Sequence, residues 1–183
     1  MSRIQPVDLK TAQGKAKDLL DGVQKALGVT PNLFRVTAQS PAALEGLLGL
    51  RGALSQGQLS AKLQEQIALT VAERNGCDYC LSAHTLMGKG AGLGEGDIAQ
   101  ARSARAADSK TDAALRFVAT LVDKRGRVAD GDLAALRGAG FREAEIIEIV
   151  AGTVLNIFTN YLNHVAATDI DFPVVRSKVS AAA

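Results

Sequence analysis

Residues 60–87 read SAKLQEQIALTVAERNGCDYCLSAHTLM, and the reading of this stretch decides the fold. Ser60 is a helix-starting residue; Leu63, Ile67, Ala68 and Val71 then recur on one stripe, and Gly76 supplies a C-terminal stop. Cys77 falls at the start of a new helix that runs toward Met87. The two helices are joined through one glycine, with Cys77-Asp78-Tyr79-Cys80 opening the second. His84 follows Cys80 by four residues and so sits over it on the same helix face. Cys77 and Cys80 are the only 2 cysteines of the chain, and both are spent in this one unit.

Outward from that pair, the helical pattern continues. Asp8 opens a segment with Leu9, Ala12, Ala16, Leu19, Leu20, Val23 and Leu27, ended by Gly28. A connector, Val29 to Asn32, leads to Leu33-Phe34-Arg35-Val36. Ser40-Pro41 is a cap followed by a first helical residue, and Leu44, Leu47, Leu48, Leu50 and Leu54 follow as far as Gly57. After the glycine-rich connector at 88–92, helices are expected at Asp97–Ala104, from a Ser109 cap to Gly126, at Asp130–Leu136 and from Arg142 to about Ala166. The apolar run Ile146–Val165 is broken by Glu148, Asn156, Asn160, Asn163 and His164, which reads as a buried amphipathic helix and not a membrane span. Phe172-Pro173 ends regular structure, and the tail from Ser180 is expected to fray. No stretch alternates with period two between hairpin turns, so the fold class is all-α. The organisation expected is one helical domain over 1–183, with a core motif region at 31–126 and a C-terminal helical part at 127–175. A shift of 80 positions lays Glu65 on Glu145, Ile67 on Ile147 and His84 on His164, which raises an internal two-fold repeat of helical hairpins.

Composition narrows the function. A chain of 183 residues with 47% hydrophobic and 22% charged residues can bury a substantial core. Aromatics are only 4% and Trp is absent, so that core is built of Ala, Leu, Val and Ile. A net charge of +2, with Arg102 and Arg105 the nearest thing to a basic patch, speaks against nucleic acid and membrane as partners. Met1 to Pro6 lacks the apolar stretch of a signal peptide, which favours a cytoplasmic setting, where Cys-x-x-Cys serves redox or metal chemistry. The glycines from Gly88 to Gly96 follow no strand and lack Gly-Lys-Ser/Thr, so they read as a connector and not a phosphate loop.

The residues around the cysteines supply a chemistry. A thiol in the first turn of a helix is favoured as thiolate by the N-terminal amides, and His84 can take the Cys80 proton or pair with its anion. A Cys80 thiolate attacking a peroxide would become a sulfenic acid, which Cys77 can trap as a disulfide. Two carboxylates precede the motif. Glu73 reads as a solvated residue near the helix end. Glu65 lies beside the apolar Ala68 and Leu69, and a helix pair folded back about Gly76 brings it toward His84, directly or through water. Two other readings stay open: a thiol–disulfide oxidoreductase or redox sensor with little peroxide turnover, and a zinc-stabilised binding module using Cys77, Cys80, His84 and Glu65.

The stretch Pro31–Leu93 resembles the carboxymuconolactone decarboxylase superfamily, in its alkylhydroperoxidase D-like, peroxidase-related branch. The features that carry the resemblance are Thr30-Pro31-Asn32-Leu33-Phe34-Arg35, Ser40-Pro41, the pattern Glu65-x11-Cys77-x2-Cys80-x3-His84 and Gly92-Leu93, with looser similarity through Asn163-His164. The resemblance implies an all-helical AhpD-like bundle in which Cys80 attacks peroxide, Cys77 resolves, His84 is the base and Glu65 orients or recharges it. It also implies a homo-oligomer, a trimer or hexamer. The substrate would be a hydroperoxide, and an organic one suits a core this rich in aliphatic residues. The reductant would be an external dithiol, a lipoyl group or a thioredoxin-like protein, with no cofactor and no metal. Tyr79 stands where the best-studied branch has a relay histidine. The decarboxylase branch lacks the paired cysteines, which turns the expectation away from lactone chemistry.

Overall fold

The computed structural model describes residues 2–179; Met1 and the tail Ser180–Ala183 expected to fray lie outside the described residues. Among the described residues the chain forms nine helices and no strand, so the all-α expectation holds. They are α1 (Gly14–Leu27), α2 (Asn32–Thr37), α3 (Pro41–Ser55), α4 (Ala61–Arg74), α5 (Asp78–Gly90), α6 (Glu95–Arg102), α7 (Ser109–Asp123), α8 (Asp130–Gly138) and α9 (Glu143–Ala166).

Local chemistry explains most of the boundaries. Ser40 Oγ accepts from Ala43 N at 3.3 Å with Pro41 in the first turn, and Ser60 Oγ accepts from Leu63 N at 3.3 Å. α7 is capped one residue earlier than expected: Asp108 accepts from Thr111 N at 2.8 Å, a stronger acceptor than the Ser109 hydroxyl beside it. The first helix begins at Gly14 and not at Asp8, because residues from Asp8 close only a local turn, Ala12 N donating to Asp8 O at 2.9 Å. Leu33–Val36, expected only as the sequel to a connector, is the middle of the short helix α2.

Helix α4 sits at the centre, packed against α5, α6, α7 and α9. The single stripe expected of it proves too narrow: every residue from Gln66 to Glu73 is buried. Its polar members are paired; Thr70 Oγ1 donates to Gln66 O at 2.9 Å and to Ala101 O at 2.7 Å. Around it Leu69, Leu81, Leu115 and Ile149 have no exposure at all, each worth about 1.5–3 kcal/mol of burial. A second cluster, Leu20, Val23, Phe34, Ala38, Leu44 and Leu47, ties α1, α2 and α3 together.

Two expectations are corrected by the packing. Glu73 is no solvated residue: it is buried, paired with Arg102 Nε at 2.6 Å, and accepts from Lys178 N at 2.6 Å. α9 is not a buried helix throughout, since Ile147, Val154, Phe158, Tyr161 and Val165 form a largely exposed apolar stripe. Nor does the hairpin repeat. The 80-residue shift lays α4, its turn and α5 over the single unbroken α9, so Glu145 and His164 share one helix whereas Glu65 and His84 are on two. Glu145 pairs with Lys110 and Arg142, and His164 is exposed. No helix among the described residues is long and apolar enough to cross a membrane.

Candidate active site

The α4–α5 turn is built around one backbone conformation. Gly76 has φ +65°, which a side chain would strain. With glycine there, Gly76 N donates to Glu73 O at 3.1 Å and Cys77 N to Ala72 O at 2.9 Å, the paired bonds of a Schellman stop. Cys77 is thereby both the last residue of that stop and the N-cap of α5. Its Sγ accepts from Cys80 N at 3.4 Å, so the cap side chain is itself a thiol. Asp78 next to it is held by the C-terminal segment, through Arg176 Nη1 at 2.7 Å and Ser177 N at 2.8 Å.

All four residues expected at the site come to this hairpin. Both cysteines are free and buried, with 1% of Cys77 and 3% of Cys80 exposed. On α5, Cys80 and His84 are one turn apart. Across from them on α4, Glu65 Oε2 lies 2.8 Å from His84 Nδ1, a direct contact with no room for a bridging water. A carboxylate there holds the proton on Nδ1 and leaves Nε2 as the nitrogen that can exchange one. The zinc arrangement does not form: among the described residues no three His, Cys, Asp or Glu side chains converge as metal ligands.

The thiols are differentiated. Burial pushes Cys80 up, but the Cys77 thiol donating to it, the charge on His84 and the amides of Asn163 and Asn160 outweigh that and bring it down to about 7. Cys77 goes the other way: its hydrogen bond to Cys80 and its own burial keep its proton on. Cys80 is therefore the sulfur that ionises first, about half of it as thiolate near neutral pH, beside a Cys77 that stays a thiol. Asn163, from α9, donates Nδ2 to Cys80 Sγ at 3.3 Å, and Asn160 one turn earlier accepts from Asn75 Nδ2 at 2.9 Å. These two amides were missed as site residues in the sequence. Their signals were asparagines interrupting a mostly apolar helix and the looser resemblance at Asn163-His164.

Tyr79, which stands where the best-studied branch has a relay histidine, is tied into the packing of the site. Its hydroxyl accepts from Leu33 N at 3.0 Å, its ring stands edge-on to Phe172 with centroids 5.5 Å apart, and burial raises its pKa far from neutrality. It is a wall between two cavities. One, of about 300 Å³, runs between the two hydrophobic clusters; Cys80 and His84 line it, with Leu33, Phe34, Leu47, Ile67, Ala83 and Leu155 among its other walls. The other, about 340 Å³ and more open, lies on the Cys77 side against Asn163, His164 and Arg176.

Fold and site thus define a dithiol centre at the turn of a helical hairpin, with a histidine aligned by a carboxylate. Residues 41–123 match the carboxymuconolactone decarboxylase family model. The whole chain has the AhpD-like fold. It superposes on the alkylhydroperoxidase AhpD core of an uncharacterized peroxidase-related protein from Ralstonia eutropha JMP134 with TM-score 0.84 at 22% identity, covering 93% of this chain and 92% of that one. A peroxidase-related protein from Silicibacter sp. TM1040 gives 0.77 at 22% identity, over 91% of each chain. The debrominase Bmp8, solved in complex with 2,3,4-tribromopyrrole as a cysteine-to-alanine variant, gives 0.79 at 19% identity, covering 92% and 91%. No curated protein matches the sequence significantly.

Proposed function

We propose that the protein is a thiol-dependent peroxidase acting on organic hydroperoxides. The observation that carries this reading is the split pair: Cys80 lowered to about 7 in the wall of a mainly apolar cavity, with Cys77 kept protonated against it. The Cys80 thiolate attacks the terminal peroxide oxygen and the O–O bond breaks. The departing alkoxide takes a proton from His84, whose imidazolium Glu65 stabilises, and leaves as the alcohol. Cys80 is then a sulfenic acid. Cys77 sulfur bonds to Cys80 sulfur, the hydroxide leaves and combines with the Cys77 proton as water, and the disulfide remains. An external dithiol restores both thiols by exchange. Burial of both sulfurs favours a slender reductant such as a lipoyl arm over a bulky thioredoxin-like protein, and it disfavours the redox-sensor reading, which needs exchange with protein disulfides. The exposed stripe on α9 supports the homo-oligomer expected from the family, and a cytoplasmic setting fits the need for a dithiol supply.

The assay is consumption of cumene hydroperoxide with dithiothreitol as donor. Wild type turns over, Cys80→Ser does not, and equal turnover by the two would overturn the assignment. The fold shared with a debrominase motivates a second readout in the same assay: bromide release from a brominated pyrrole. There the dithiol would again lose two electrons: the C–Br bond breaks as the Cys80 sulfur takes the bromine and the ring carbon takes a proton, then the Cys77 sulfur bonds to the Cys80 sulfur, bromide leaves and the Cys77 proton is released.

A further inference from the structure

The cavity lined by Cys80 has mainly apolar walls, yet it carries a cation that no carboxylate among the described residues neutralises. Arg51, near the end of α3, lines this cavity and is half-buried. The one hydrogen bond of its guanidinium among the described residues is a weak one, from Nη2 to Met87 Sδ at 3.8 Å, and it forms no ion pair there. Both carboxylates that line the cavity are engaged elsewhere. Glu65 holds His84 at 2.8 Å, and Glu148 Oε2 accepts from Gln58 N at 2.8 Å and Leu59 N at 3.2 Å. A guanidinium partly withdrawn from water without an anion is costly to hold, and its planar fork matches a carboxylate with two parallel hydrogen bonds.

The distance between this cation and the thiolate is set by α5. Cys80, His84 and Met87 follow one another along the cavity side of that helix, and seven residues at 1.5 Å each put Met87 about 10 Å from Cys80 along the axis. The geometry points to an amphipathic carboxylate as the substrate class: an acyl-chain hydroperoxide that anchors its carboxylate on Arg51 and presents a mid-chain peroxide to Cys80. The substrate chemistry rests on the peroxidase reading above; the carboxylate site rests on Arg51 alone. A cavity of about 300 Å³ suits a single aliphatic chain, and a free fatty acid enters where the headgroup of a phospholipid does not.

The test pairs a binding arm with a turnover arm. Titration calorimetry with octanoate and octanol on the reduced wild-type protein should show octanoate bound at least about tenfold more tightly. That preference should vanish in Arg51→Gln and persist in part in Arg51→Lys, which keeps the charge but not the fork. Equal affinity for the two probes in wild type, or a preference that survives Arg51→Gln, would overturn the proposal. In turnover, the ratio of kcat/KM for linoleic acid hydroperoxide to that for its methyl ester should follow the same order across the three proteins. If neither peroxide is reduced while octanoate still binds through Arg51, the peroxidase reading falls and the carboxylate site stands. If both peroxides are reduced equally well by wild type, the peroxidase stands and the carboxylate site falls.

Discussion

Replacing Asn163 by Leu removes the amide that donates to the Cys80 sulfur at 3.3 Å and leaves the Cys77 thiol and Asn160 in place. The two side chains are similar in size, and Asn163 Oδ1 has no partner among the described residues to be stranded by the change. A hydrogen bond to a charged group is worth about 1.5–3 kcal/mol, and at this length to sulfur the lower end applies. One pKa unit corresponds to about 1.4 kcal/mol, so Cys80 should rise by about one unit, from about 7 toward 8. At neutral pH the thiolate fraction then falls from about a half to about a tenth, and reaction with an alkylating reagent slows roughly fivefold. Well above pH 9 both proteins are fully ionised at Cys80 and the difference should disappear. The assay is iodoacetamide labelling across pH, read by mass spectrometry on the peptide that carries Cys80 and Cys77; Cys77, which stays protonated, contributes little. A midpoint that does not move, or a slowing by the same factor at every pH, would mean that Asn163 only packs, and the account of the lowered thiol would be wrong.

Three further outcomes are expected. Glu65→Gln keeps a hydrogen-bond partner for His84 Nδ1 but removes its charge, so peroxidase kcat/KM should drop about ten- to a hundredfold, and His84→Ala should fall further; steady-state rates near neutral pH test both. Because Cys80 falls from 9.0 to about 7 on folding, its thiolate stabilises the reduced protein increasingly as pH rises from 7 to 9, fully above 9, and not at all well below 7. Denaturant melts of wild type against Cys80→Ser should show a gap that widens over that window by about 2–3 kcal/mol; a constant gap would contradict the shift. Gly76→Ala should cost about 1–2 kcal/mol through the positive φ, since its new Cβ would meet Ser177 Oγ and Val179 O only at an ordinary 3.6 Å. Thermal melts should place it about 2–8 °C below wild type, and Gly76→Asn, which tolerates that backbone, should lose less.

Much of the hairpin was legible because its signals are local. A serine three residues before an amide it can cap, a glycine where φ must be positive, and Cys80 and His84 at one-turn spacing all act within a few residues. The antiparallel return about Gly76 then brings Glu65 to His84 by simple register. Asp108 in place of Ser109 shows the limit even of local reading, since two adjacent residues could both cap and the carboxylate is the better acceptor. Glu73 shows a different limit. Its partners Arg102 and Lys178 come from 29 and 105 residues away, and nothing near it in sequence says that it is inside.

From the order of its residues alone, this chain determined that it is helical, where α4 ends and α5 begins, and that two thiols and an imidazole share one helix face, with Glu65 able to join them if the pair folds back, because helix periodicity, caps and turns depend on neighbours in sequence. Only the tertiary structure decided which sulfur is the anion. That depends on Asn163 arriving from α9, 83 residues beyond Cys80, and on burial, which is a property of the whole packed bundle. The cavity, and an Arg51 in its wall that has no carboxylate partner among the described residues, are likewise products of packing: they exist only where residues of α2, α3, α4, α5 and α9 meet, a juxtaposition that no local pattern encodes.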